Sequence, residues 1–284
     1  NLKGKNALII GGTRGIGRGI ALTLAEAGSN VVIVGRSEGK DVINQMKLLS
    51  SNEQRFSSEP TDLTTIKNCI ELTERLKSNY PSFDIVVFTV GTWPDLKNLY
   101  TSEGINRIIA IDLFARFTIL YKLLPNLSKN ARVLSVLAST HQTPQPSPKN
   151  LQNIITGVTS PSVFDMLFMG PTMDAIFLHA SKLYPSITFI GTYPGFVETD
   201  LLTTTFPKWF VDFLFNAGKS IGIILSEKES GLRHSSILNH DKFVTNVIFF
   251  DDTPIARYAH SSAYNIELQH WLWNYLSNLV EHNN

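Results

Sequence analysis

The chain has 284 residues, a formal net charge of +1, 43% hydrophobic and 17% charged residues, and a single cysteine, Cys69. Near-neutral charge leaves no electrostatic footprint for nucleic acid, and one cysteine excludes an intramolecular disulfide or a cysteine-rich zinc site. No apolar run reaches the roughly 18–20 residues that a membrane span requires.

The predicted elements begin with a strand over 6–10 that runs into Gly11-Gly12-Thr13-Arg14-Gly15-Ile16-Gly17 and a helical pattern over 15–27. Gly11 permits a tight turn, Gly15 lets backbone approach a pyrophosphate, and Gly17 lets the helix pack on the strand. The helix start adds unpaired N–H groups and a positive dipole end, so the loop reads as a phosphate cradle. The next strand, over 30–34, ends in Gly35-Arg36-Ser37, where a reader of the NAD ribose 2′-hydroxyl would carry Asp or Glu. Arg36, with Arg14, instead suits a 2′-phosphate, because a guanidinium fork matches phosphate oxygens. NADP(H) is the expected cofactor.

A helix over 38–49, a short strand over 55–58, a helix over 64–79, a strand over 84–90, a helix over 102–127 and a strand over 132–137 follow. After a proline-rich loop over 140–149 come a helix over 161–183, with Gly170-Pro171 inside it, and a strand over 187–193. The rhythm breaks over about 200–240, where Phe206, Trp209, Phe210, Phe213 and Phe215 point to an inserted helical lid over an apolar substrate. A strand over 246–250 and a helical run over 266–280 close the chain. Most strands are apolar on both faces, as buried parallel strands are. The expected fold class is therefore α/β, a Rossmann-type doubly wound, mainly parallel seven-stranded sheet of order 3-2-1-4-5-6-7 with helices on both faces. With no internal repeat and no dividing linker, residues 1–284 form a single domain in this reading.

With these motifs in order, the chain resembles the short-chain dehydrogenase/reductase family over nearly its full length. Gly11-x-x-x-Gly15-Ile16-Gly17 matches the family's cofactor loop, and Asp62-Leu63 the pair that meets the adenine ring. Thr89-Val90-Gly91 stands where Asn-Ala-Gly is usual, and Pro194-Gly195-Phe196-Val197-Glu198-Thr199 matches the Pro-Gly-x-Val-x-Thr run. The resemblance implies that these residues, with Thr13, Arg14, Arg36 and Ser37, hold the dinucleotide, Val197 and Thr199 meeting the nicotinamide carboxamide and the phosphates. It also implies a homodimer built on the helices over 102–127 and 161–183.

The family's proton relay does not carry over. It uses a Tyr, a Lys four residues on, a Ser and an Asn, and none of the eight tyrosines here has Lys at i+4. The family's spacing before Pro194 falls on Phe164 and Phe168; the Asn position is Asp112, and the Ser position reads Ala138 with Ser139 one residue late. The departure resembles certain fungal-type members, with proline-rich text after strand five and Phe-Ile-x-x-Tyr-Pro-Gly over 189–195.

Candidate proton donors are Ser139, His141, Asp165 and Tyr193. Ser139 and His141 follow strand five, at the carboxyl edge where open α/β sheets bind ligands. A carboxyl at 165 among Phe164, Met166, Leu167, Phe168 and Met169 would have its pKa raised towards that of a usable acid. Blander readings stand beside each: Ser139 closing a turn, His141 solvated, Asp165 at a helix start, Tyr193 only packing, and Asp112 structural. The histidines show no metal-ligand spacing, so no metal is expected.

The leading expectation is an NADPH-dependent reductase of a small or medium apolar carbonyl- or imine-type substrate, running without the Tyr/Lys pair. The rivals are an NADP-binding sensor or scaffold and a cofactor-shaped pocket for a non-redox reaction with Asp165 as acid. A reducing, cytoplasmic setting fits the single cysteine, while the start at Asn1 leaves a trimmed leader open.

Overall fold

The β-branched and aromatic runs of the sequence line up as one sheet. The computed structural model describes residues 2–50, 53–92, 98–139, 147–160, 162, 164–198, 209, 211–212, 215–216, 224–240, 243, 245–253 and 255–283. Six strands are β1 (Asn6–Ile10), β2 (Asn30–Gly35), β3 (Phe56–Pro60), β4 (Phe83–Phe88), β5 (Leu127–Val136) and β6 (Thr188–Thr192). With β7 (Val247–Phe250) and β8 (Ala256–Arg257) they form an eight-stranded sheet of order β8-β7-β6-β5-β4-β1-β2-β3. The seven-strand parallel order read from the sequence is present, and a two-residue antiparallel strand, β8, extends its edge.

Helices α1 (Gly15–Glu26), α2 (Lys40–Leu49) and α3 (Ile66–Asn79) follow the first three strands. A π-helical turn, Ile109–Ala115, leads into α4 (Arg116–Leu123); α5 (Pro148–Ile155) and α6 (Asp165–Leu183) precede β6. The last helices are α7 (Glu227–Leu238) and α8 (Ile266–His282). Successive strand residues face opposite sides, so Leu8, Val32, Val86 and Phe189 enter one core and Ile9, Ile33, Val87 and Ile190 the other.

Several boundaries differ from the sequence reading: α4 ends at Leu123 and β5 already begins at Leu127, the expected end of the helix over 102–127, and α6 starts at Asp165. The helix expected from 102 starts after Asn106, because Thr101 and Tyr100 turn back on Ile105 and Asn106 instead. The expected loop through 149 already contains the start of α5: Pro148 sits in the first turn, and Ser147 Oγ accepts the Asn150 N–H at 3.3 Å. Within the segment expected to form a lid, α7 packs on α1 as part of the ordinary helical layer. Most of that segment, including Phe206, Phe210 and Phe213, lies outside the described residues.

Helix α8 lies across α4 and α6. Trp273 is buried, with ring centroids 5.3 Å from Phe117 and 5.1 Å from His179, and Lys182 Nζ donates to Gln269 Oε1 at 3.1 Å. The chain's own last helix thus covers part of α4 and α6, the helices on which the resemblance implies pairing. The expected outcome is a single-chain mass by light scattering; Trp273→Ala should cost about 3–5 kcal/mol of unfolding free energy by denaturant titration. A stable dimer whose contact runs through α4 and α6 would contradict this.

Candidate active site

The β1–α1 turn is built without room for side chains. Gly11 has φ 98°, and a Cβ there would stand 2.6 Å from Val90 N. A Cβ on Gly17 would lie 2.2 Å from the Gly11 carbonyl oxygen, so the first turn of α1 rests directly on the end of β1. At that helix start the Gly15 N–H donates to Glu227 Oε1 at 2.8 Å and the Arg18 N–H to the Arg14 carbonyl at 3.2 Å. Ile16 and Gly17 keep first-turn N–H groups that no described residue accepts.

Thr13 packs over Gly35, so the glycine loop and the end of β2 are in direct contact. Arg14, the N-cap residue of α1, follows Thr13, and Arg36 and Ser37 follow Gly35. Both arginines are exposed and have no ion pair or hydrogen bond to a described residue, while nearby Glu38 is held by Lys40 at 2.5 Å. Leu63 is buried, and Asp62 Oδ1 accepts the Thr64 N–H at 3.1 Å, which closes the turn after β3.

Beyond β4, the Thr89 and Val90 N–H groups both donate to the Ile10 carbonyl, at 2.8 and 2.9 Å, and Thr89 Oγ1 donates to it at 3.1 Å. Asp112, in the π-helical turn, is buried and accepts the Thr92 N–H at 3.1 Å; it stands over Gly91. Burial pushes its carboxyl up to about 7, against the pull of the Arg116 guanidinium and the Thr92 N–H. Arg116, one turn on, is fully buried. It donates to the Phe88 carbonyl at 3.2 Å, Ser135 Oγ at 2.8 Å, the Val136 carbonyl at 3.1 Å and the Val90 carbonyl. One guanidinium therefore ties together the carboxyl ends of β4 and β5, and burial lowers its pKa to about 10.

The three proton-donor candidates within the described residues fall in different surroundings. Ser139 is buried, and its Oγ donates to Asp174 Oδ2 at 2.6 Å. That carboxylate also meets Arg257 Nη1 at 3.4 Å and the His260 N–H at 3.4 Å. Burial raises the Asp174 pKa, and Arg257 and Ser139 oppose the rise. Asp165 Oδ2 accepts from Asn106 Nδ2 at 2.7 Å and the Ser162 N–H at 3.0 Å, so it fastens the start of α6; burial raises its pKa too. Nine residues along one helix place Asp165 and Asp174 about 13 Å apart and half a turn round, so they do not share a face. Tyr193 follows β6, just before Pro194-Gly195; it is half-buried, and its hydroxyl has no hydrogen bond to a described residue. Burial, then Asp252, raises its phenol pKa.

Gly195 turns left-handed at φ 69°, and Phe196–Val197 pairs with Ile224–Leu225 in a two-residue parallel ladder. His141 and Thr199 lie outside the described residues. Asp174, Arg116, Arg257 and Glu227 were not singled out from the sequence. A usable signal exists for the first two: each stands among apolar neighbours in its helix, where folding can bury a charge only with partners. Among the described residues no group of three or more His, Cys, Asp or Glu is placed to hold a metal ion.

The sequence model of the short chain dehydrogenase family matches residues 5–149. The chain belongs to the short-chain dehydrogenase family. A 2-dehydro-3-deoxy-D-gluconate 5-dehydrogenase of Pseudoalteromonas atlantica is 40% identical over 95 residues, 32% of this chain and 36% of that one. An Emericella nidulans oxidoreductase is 26% identical over 71% of this chain and 61% of its own length. The chain thus spans under two thirds of each of these relatives. A Pseudomonas aeruginosa structure described as the RhlG/NADP active-site complex superposes with a TM-score of 0.64. It is 20% identical and covers 89% of this chain and 96% of that one.

Proposed function

We propose that the chain is an NADP(H)-dependent reductase of a small or medium apolar carbonyl- or imine-type substrate, working without the Tyr/Lys relay. The observation that carries the reading is the pair Arg14 and Arg36, exposed and uncommitted beside a cradle cleared of side chains. A 2′-phosphate between two guanidinium groups gains charge-assisted bonds, and the free Ile16 and Gly17 N–H groups suit a pyrophosphate. The Pseudomonas structure described as an NADP complex supports the same cofactor.

A bound nicotinamide would supply the hydride. Among the chain's own groups, Tyr193 is the proton donor in this proposal. Ser139 has its hydroxyl hydrogen turned to Asp174, and Asp165 is taken by Asn106 and Ser162, whereas the Tyr193 phenol is uncommitted and burial holds it neutral. Exposed Phe164 and Phe196 stand at the same carboxyl edge of the sheet, which favours an apolar substrate. An iminium acceptor, already cationic, needs less help from an acid than a simple ketone. No described helix is long and apolar enough to cross a membrane; a reducing cytoplasm, where a buried Cys69 stays a thiol, completes the proposal.

Titration followed by nicotinamide fluorescence tests it. NADPH should bind at least about tenfold more tightly than NADH, and Arg36→Ala should erase most of that preference. Absence of NADPH binding by the wild-type protein would sink the proposal. In turnover with an imine or ketone panel, Tyr193→Phe should lower kcat by about 100-fold with the NADPH affinity unchanged.

A further inference from the structure

We infer that Glu227 is a resident anion of the dinucleotide cradle, which occupies one of its donors and sets how tightly it holds a pyrophosphate. The inference rests on reading the β1–α1 loop as that cradle. Glu227 lies more than two hundred positions from the loop in sequence, yet its Oε1 accepts the Gly15 N–H at 2.8 Å and its Oε2 meets Arg18 Nη1 at 2.5 Å. Arg18 is held in turn by Gln45 Oε1 at 2.7 Å. The carboxylate therefore sits on the positive end of α1, where an incoming pyrophosphate must also sit.

The placement is fixed by backbone contacts and is not a chance side-chain pose. A Cβ on Gly19 would stand 2.0 Å from the Glu227 carbonyl oxygen, and one on Gly231 would stand 2.3 Å from the Gly19 carbonyl oxygen. Helices α1 and α7 thus touch backbone to backbone, which sets the register of residue 227 against the first turn of α1. The start of α7 does not need this carboxylate. Ser226 Oγ accepts the Glu229 N–H at 3.2 Å, and Glu229 Oε2 accepts the Ser226 N–H at 2.8 Å, a complete capping box. Glu227 is left to serve the other helix.

Two consequences follow from the charge. Without dinucleotide, the carboxylate satisfies Gly15 and stabilises the positive helix end. With dinucleotide, it repels the pyrophosphate and keeps Gly15 from donating to it, while Arg18 offsets part of its charge. Both Glu227 and Arg18 are about a quarter to a third exposed, at 29% each, so the repulsion is partly screened.

The test uses wild type, Glu227→Gln and Glu227→Ala, titrated with NADPH by fluorescence and with inorganic pyrophosphate by calorimetry at low and high salt, with melting curves for each. Glu227→Gln keeps an acceptor for Gly15 and loses the charge. It should bind both ligands about three- to tenfold more tightly at low salt, with a smaller gain at high salt. Glu227→Ala, which also frees the Gly15 N–H, should bind pyrophosphate at least as tightly as the glutamine variant. Pyrophosphate binding by the variants but not by wild type, with NADPH bound by all forms, would support the inference in its strongest form. Unchanged or weaker binding by folded variants, or no anion binding by any form, would overturn it. Pyrophosphate binding without NADPH binding would count against the cofactor proposal and leave this inference to be judged on pyrophosphate alone.

Discussion

Gly17→Ala is expected to abolish dinucleotide binding in a protein that still folds. The added methyl would lie 2.2 Å from the Gly11 carbonyl oxygen and 2.4 Å from Thr89 Oγ1. The first of these is backbone, and it cannot swing aside as a long side chain could. Gly11 is itself backed by Val90 N and the Thr89 carbonyl carbon, so the clash moves α1 away from β1 and does not dissipate in the loop. Overpacking of this kind costs about 1–3 kcal/mol, within the stability reserve of an ordinary domain. Binding suffers more, because the Ile16 and Gly17 N–H groups are aimed by that same helix turn. A loss of at least about 100-fold in NADPH affinity, near 2.7 kcal/mol, should appear in a fluorescence titration. A melting curve on the same sample separates this from unfolding. Affinity within about threefold of wild type would show that the glycine loop is not where the pyrophosphate sits.

The strand, glycine loop and helix at the chain's start were legible because their residues are contiguous. Strand, glycine loop and helix lie within twenty residues, and each glycine answers a local steric demand that the sequence pattern already states. The sheet order was legible for a related reason: apolar runs of strand length alternating with helical patterns leave few arrangements that close a doubly wound sheet. The groups around the expected proton donors were hidden because their partners are remote. Ser139 meets Asp174, 35 positions on, and Asp174 meets Arg257, a further 83 positions on. Spacing cannot reveal such a cluster. Composition along the helix can, since Asp174 stands among Met173, Ala175, Ile176 and Phe177, and Arg116 between Ala115 and Phe117. A charge in an apolar helix that faces the core must have a partner, because an unpaired buried charge costs several kcal/mol. The covering of α4 and α6 by α8 was missed for a different reason. The sequence shows an amphipathic helix with two tryptophans, but only the structure shows which face of which helices it occupies.

Asp112 and His234 should pull the pH dependence of stability in opposite directions. Asp112 is buried with its carboxyl raised from 3.8 to about 7, so from about pH 4 to pH 7 the folded chain holds a proton there that the unfolded chain has lost. Its contribution to stability therefore falls as pH rises through that range. His234 is buried with its pKa lowered from 6.5 to about 4, its Nδ1 against the Ser230 carbonyl at 2.7 Å. There the unfolded chain binds the proton first, and stability is lost as pH falls from about 6.5 towards 4. In the wild type the two slopes largely cancel between these limits, and single substitutions should uncover them. Relative to wild type, Asp112→Asn should gain stability as pH rises from 4.5 to 7.5, by about 1.4 kcal/mol per pH unit at most. His234→Gln should gain relative to wild type as pH falls. Urea unfolding at the two pH values measures both differences. A pH-independent difference for Asp112→Asn would mean that Arg116 keeps Asp112 ionised throughout. A raised pKa bears on the site as well as on stability. A neutral carboxylic acid over Gly91 offers an O–H donor beside a carbonyl acceptor, much as the amide that the resemblance implies for this position offers N–H donors beside its carbonyl. On that reasoning Asp112→Asn should bind NADPH within about twofold of wild type, whereas Asp112→Ala, which removes both groups and the acceptor of the Thr92 N–H, should not.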